Sequence, residues 1–135
     1  MLKLSGQEFC RWATHAAQAL PDEACGLLAG EAHGGDAFVR KIFYLTNIDH
    51  SPAHFSMDPR EQLAALKELR AEGWQLLGNV HSHPESPARP SQEDIRLAYD
   101  PKLRYAILSL VDGTPVIKSF WIRQGVVEEE ELRIE

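Results

Sequence analysis

The chain has 135 residues, one domain's worth, and its 44% apolar and 25% charged residues are an ordinary globular mix. That composition excludes collagen-like, coiled-coil and wholly disordered chains, and a chain of this length buries roughly two thirds of its unfolded surface without needing a disulfide or structural metal. Fourteen Lys and Arg against twenty Asp and Glu give a net charge of −6, which argues against nucleic acid or an anionic membrane surface as partner.

The N-terminus, Met1-Leu2-Lys3-Leu4, lacks the long apolar core of a secretory signal, and Cys10 and Cys25 suggest no disulfide framework. The expected compartment is the cytoplasm. Ser5-Gly6-Gln7-Glu8 is a capping box, and Phe9, Trp12, Ala13, Ala16 and Leu20 follow at helical spacing until Pro21. This predicts an amphipathic helix over 6–19. Strands are predicted over 24–31 and 38–47, with Gly34-Gly35 as a turn between them. Residues 48–57 show no period and read as a loop. Asp58-Pro59-Arg60-Glu61 starts a helix with an N-cap Asp and Pro at the first position. Leu63, Leu66 and Leu69 are its expected buried stripe, and Gly73 its end. A strand over 75–82 enters a proline-rich loop over 84–90, and a short helix is predicted over 91–99. Strands over 104–111, 115–123 and 126–134 complete the chain, with turns at Asp112-Gly113 and Gln124-Gly125.

The order is α, two strands, α, strand, α, three strands. Helices and strands do not alternate one for one, which disfavours a doubly wound parallel fold. A mixed sheet with helices packed on it, in one domain over 1–135, fits better. The acidic run 128–131 reads as a solvated strand end or tail.

His81 and His83 lie two apart at the end of a predicted strand, so both imidazoles share a face. Asp94, eleven residues on and in the first turn of a helix, can return a carboxylate to the same point. Two His and one carboxylate, with a fourth position left to water, make a catalytic rather than a structural zinc site. Such a site also needs a carboxylate that is not a ligand, to move the proton. Glu23 is a candidate, although spacing alone does not pick it from twenty acids. Taken singly, these features also suit blander roles. A His-x-His pair on a strand can be exposed or structural. Ser91-Gln92-Glu93-Asp94 is a capping box in its own right, and Ser91 beside a metal can in addition donate to an oxyanion.

Taken together, His81-x-His83, seven residues, Ser91, two residues and Asp94, with the upstream Glu23, resemble the JAMM (MPN-plus, Mov34/PAD-1) metallopeptidases. The segment Pro21-Asp22-Glu23-Ala24-Cys25-Gly26-Leu27-Leu28-Ala29-Gly30 is similar to the one around that family's catalytic Glu. The resemblance runs from about Leu4 through the last strands. RadC-like proteins share the His-x-His spacing but resemble a different loop, His-Asn-His-Pro-Ser-Gly, where this chain reads His81-Ser82-His83-Pro84-Glu85-Ser86. The resemblance implies an α+β fold: a cytidine-deaminase-like α/β/α sandwich around a curved mixed sheet. It implies Zn²⁺ held by His81, His83 and Asp94, Glu23 as general base and then acid, and Ser91 stabilising the tetrahedral oxyanion.

The resemblance also implies a substrate: the peptide or isopeptide bond after the C-terminal Gly-Gly of a ubiquitin-like or sulfur-carrier protein. A narrow metal groove that admits extended backbone without side chains suits Gly-Gly. Two other expectations stand beside this one. One is a module that binds ubiquitin-like tails without cutting, and the other a hydrolase of another small amide. With 135 residues there is no room for the substrate-gripping insertions of larger relatives, so recognition must come from the groove, a homodimer or a partner. Cys25 reads as a small buried hydrophobe, the other reading being a thiol contact with metal or sulfurated substrate. His50 and His54 read as exposed loop residues or as lining of the groove. Trp74 and Trp121 read as core or sheet-face residues, while His15 and His33 suggest nothing specific.

Overall fold

The computed structural model describes residues 1–135. In chain order the elements are β1 (Leu2–Leu4), α1 (Gly6–Ala19), β2 (Cys25–His33), β3 (Asp36–Leu45), α2 (Pro59–Ala71), β4 (Gln75–His83), α3 (Gln92–Arg96), β5 (Arg104–Ser109), β6 (Val116–Arg123), β7 (Val126–Glu130) and β8 (Leu132–Ile134). The strands form one mixed eight-stranded sheet in the order β7-β6-β5-β4-β2-β3-β1-β8. β4 is central, antiparallel to β2 and parallel to β5. β7 and β8 lie at opposite ends of this order, yet a single residue, Glu131, separates them. The sheet therefore curls until its two edges meet.

Alternation along the strands sends side chains to two faces. On one face α1, capped by the Ser5 hydroxyl, buries Trp12 and Ala16 against Leu28, Val80, Leu108 and Leu2. On the other, α2 buries Ala65 and Leu69 against Leu27, Ala29, Phe43 and Leu45. α3 lies against Tyr105 and Ile107 through Ile95, joined by Ala98 just beyond its end. Helices on both faces of a curved mixed sheet are the expected α/β/α arrangement. Asp58 is the expected cap, its Oδ1 accepting from the amides of Arg60 and Glu61. Gly26 lies where β2 and β3 approach closely, since a Cβ there would sit 2.4 Å from the Phe43 carbonyl oxygen. Gln124 and Gly125 both take positive φ (52° and 77°), as a tight hairpin turn requires.

The structure departs from the sequence expectations at four places. Leu63 is 54% exposed, because α2 turns its small Ala65 to the sheet and buries a stripe through Ala65 and Leu69. The helix expected over 91–99 ends at Arg96, with Leu97 as its C-cap. The strand expected over 126–134 breaks at Glu131 into one strand on β6 and another on β1, and the three-residue β1 was too short to show a period. The acidic run is not wholly solvated: the Glu130 side chain is 7% exposed, pairs with Arg104 at 2.6 Å and accepts from the Ser119 hydroxyl at 2.8 Å.

Candidate metal centre and active site

His81 and His83 are buried on the α2 and α3 side of β4, at its C-terminal end. Their Nε2 atoms lie 3.1 Å apart, and each lies within 3.1–3.2 Å of Asp94 Oδ2, on α3. These three atoms form a triangle that suits one small cation. Tetrahedral bonds of ~2.0–2.1 Å place ligand atoms about 3.3 Å apart. The donor set, two imidazoles and one carboxylate, leaves a fourth position free. The structure thus brings together the three residues expected as ligands.

Two of the three candidate ligands are oriented from behind by hydrogen bonds. The His83 Nδ1–H donates to the Pro87 carbonyl at 2.9 Å, which turns the Nε2 lone pair toward the triangle. His81 has no such partner; its Nδ1 is buried and unpaired, and Phe55 instead stacks on the ring at 4.7 Å. Asp94 Oδ2 accepts from the Ser91 amide at 2.9 Å, while Ser91 Oγ accepts from the Asp94 amide at 3.0 Å. The capping box expected in the sequence is therefore real, and it orients the carboxylate. Because Ser91 Oγ serves there as acceptor, its O–H proton remains available to another oxygen.

The electrostatics fit a site built for positive charge. Burial works to raise Asp94, but bonds from His81 and His83 outweigh it and hold the carboxyl far below the usual range. Burial lowers His81, whereas at His83 the Asp94 carboxylate and the Pro87 carbonyl overcome burial and raise it. Glu23 is 5% exposed and its Oε1 has no partner. Burial pushes its pKa up to about 8, offset only in part by His83. It sits just before β2, the strand neighbouring β4, and within electrostatic reach of His83 and Asp94. A buried acid that holds a proton near neutrality beside a cation-binding triangle can both accept and return one.

A cavity of about 170 Å³ opens beside His81 and Asp94, walled by Phe55, Met57, Asn79, Leu97 and Tyr105. His54 also lines it, while remaining exposed and bonded to Asp49. His50 is exposed. Cys25 is fully buried, its thiol directed to the Leu45 carbonyl and its pKa pushed up to about 12 by burial. That is the small buried hydrophobe of the sequence reading.

Three residues of this site carried no sequence signal. Ser82, between the two His, is wholly buried and accepts from the Ala24 amide at 2.7 Å. Asn47 donates to the Glu23 carbonyl at 3.0 Å, and Phe55 covers His81. Asn47 and Phe55 lie in or beside the aperiodic stretch over 48–57, where no spacing rule applies.

Residues 8–123 match the family model described as prokaryotic homologs of the JAB domain. The chain is 35% identical over 121 residues to a CysO-cysteine peptidase of Mycobacterium tuberculosis, covering 89% of this chain and 82% of that protein. It is 35% identical over 112 residues to a probable TtuB-protein conjugate cleaving protease of Thermus thermophilus, covering 82% and 69%. A solution structure of a Desulfitobacterium hafniense protein superposes with a TM-score of 0.92 at 53% identity, over 100% of this chain and 93% of that one. A JAB1/MPN domain protein from Archaeoglobus fulgidus superposes with a TM-score of 0.58 at 25% identity, over 98% and 96%. No helix is long and apolar enough to cross a membrane. With the ligand triangle, the fold and these likenesses in agreement, this chain belongs to the prokaryotic homologs of the JAB domain and is a hydrolase of the peptidase class.

Proposed function

We propose that this chain is a zinc-dependent peptidase that cleaves the peptide or isopeptide bond after the C-terminal Gly-Gly of a ubiquitin-like or sulfur-carrier protein. The observation that carries the reading is the pairing of a three-ligand triangle with a buried, unpartnered acid, Glu23. The names of the relatives, which speak of CysO-cysteine and of TtuB–protein conjugates, supply the substrate class.

In this reading His81, His83 and Asp94 hold the zinc. The ion would supply Lewis acidity, polarising the scissile carbonyl and acidifying the attacking water. Glu23 takes the proton from that water and delivers it to the leaving amine. Its burial, which excludes competing water, keeps it basic enough to accept the proton. The Ser91 hydroxyl, still free as a donor, stabilises the negative oxygen of the tetrahedral intermediate. Recognition of the carrier falls to the groove beside the triangle, with a homodimer or a partner as the remaining sources of grip.

The test is direct. Purified protein carrying one zinc should cleave a carrier extended past its Gly-Gly, and Glu23→Gln should stop cleavage while zinc stays bound. Tail binding without turnover would show a binding module instead. Absence of zinc after gentle purification would remove the mechanism.

A further inference from the structure

We propose that Asn47 is a positioning residue for the proton-transfer step: its carboxamide sets the place of Glu23 and ties it to the loop that walls the substrate cavity. The inference rests on the proposed function in that it takes Glu23 as the base.

The reasoning starts from what does not hold Glu23. Its carboxylate makes no hydrogen bond to any protein group, and Oε1 is buried without a partner. Nothing at the reacting end of the side chain fixes it, so its position follows from the backbone at residue 23. That backbone is tied at both polar atoms to one segment. The Glu23 amide donates to the Ser51 carbonyl at 2.8 Å, and the Glu23 carbonyl accepts from Asn47 Nδ2 at 3.0 Å.

Asn47 is 8% exposed and its carboxamide is used to capacity. Nδ2 donates to the carbonyls of Glu23 and His54 (3.0 and 3.1 Å), and Oδ1 accepts from the amides of Asp49 and Ser56 (3.1 and 3.2 Å). One side chain thus forms the polar centre of the 47–57 loop. A compact surface loop closed at its ends and filled by its own side chain is an Ω-loop arrangement. The same loop delivers Phe55 onto the His81 ring and Met57 to the cavity wall. The ligands have their main supports elsewhere: His81 and His83 lie on β4 and Asp94 is fixed by Ser91, so the loop bears on the triangle through the Phe55 ring contact with His81 and through no hydrogen bond. A change at Asn47 should therefore move the base and leave the metal triangle in place.

Two variants test this, with the zinc-loaded wild-type protein and a Gly-Gly-extended carrier as reference. Asn47→Ala removes all four bonds. Asn47→Asp keeps the two acceptor bonds to Asp49 and Ser56 but sets an oxygen against the Glu23 and His54 carbonyls. Both should lower kcat ~10–100-fold, the scale of a reacting group displaced by about 1 Å, with KM nearly unchanged and one zinc still bound. Amide hydrogen exchange gives a readout independent of turnover. In Asn47→Asp the Glu23 amide should lose protection while those of Ser56 and Ser82 keep it; in Asn47→Ala the Ser56 amide should be lost as well. Unchanged kcat in either folded variant overturns the proposal. So does loss of zinc in step with activity, or failure of both variants to fold, since Asn47 would then be a general structural residue. If the wild-type protein cleaves no Gly-Gly-extended carrier, the functional reading fails. Retained protection of the Glu23 amide in Asn47→Asp would then overturn the positioning role separately.

Discussion

Glu23 makes the metal-free protein sensitive to pH in a direction opposite to that of an ion-paired carboxylate. In the unfolded chain the carboxyl titrates near its ordinary value of 4.5, and in the fold burial pushes it up to about 8. Between these values the folded state holds a proton that the unfolded state has lost. Stability therefore falls as pH rises through that window. At about 1.4 kcal/mol per pKa unit the full swing is roughly 3–5 kcal/mol, a large share of the 5–15 kcal/mol typical of a domain. Glu23→Gln keeps the shape and hydrogen-bonding capacity of the neutral acid and removes the titration. The variant should match the wild type near pH 4.5 and exceed it increasingly toward pH 8.

The assay is urea unfolding in the presence of chelator at several pH values from 4.5 to 8, followed by the fluorescence of Trp12, Trp74 and Trp121. Other groups, the two His among them, titrate in the same range. To first order they cancel in the difference between variant and wild type. A difference that stays flat across the window would refute the burial argument. Adding zinc should shrink the slope, because a dication beside the triangle favours the ionised carboxylate.

Two further expectations concern groups that hold the site and the sheet. Ser82→Ala leaves the buried Ala24 amide without its 2.7 Å acceptor and should cost ~1–3 kcal/mol in urea unfolding, with all three ligands unchanged. Glu130→Ala strips the buried Arg104 guanidinium of its carboxylate and should cost ~3–5 kcal/mol. Adding Arg104→Met to Glu130→Ala should recover much of that loss, and a double variant no better than the single would show that the cost lies elsewhere.

The proposed metal ligands were legible because their geometry is local. A strand puts positions two apart on one face, so His81-x-His83 converges without help from the rest of the fold. A capping box fixes the first turn of a helix, so Ser91 and Asp94 come as a unit whose chemical and structural roles coincide. The first helix was equally readable from its cap and period. Glu23 was reachable only through family resemblance, since its burial depends on β2 lying beside β4. Asn47 and Phe55 were not legible at all: each acts across a contact that no spacing encodes. The same holds for Glu130, whose neighbours suggested a solvated run. Its side chain is covered because the β6–β7 ladder sets it opposite Ser119, within reach of Arg104 on β5.

The two faces of β4 explain why the proposed base and the His81-His83-Asp94 triangle keep a fixed relation. His81 and His83 use one face for the ligand triangle. Ser82, between them, points to the other side and bonds the Ala24 amide, while its own amide donates to the Ala24 carbonyl at 2.9 Å. Ala24 follows Glu23 directly. The strand that carries His81 and His83 therefore grips the residue next to Glu23, and Asn47 and Ser51 grip the Glu23 backbone itself from the opposite side. Glu23 is thus held between two supports although its carboxylate is unbonded. A reacting acid needs that combination: freedom at the carboxyl to give and take a proton, and none at the backbone that would let it drift from the triangle.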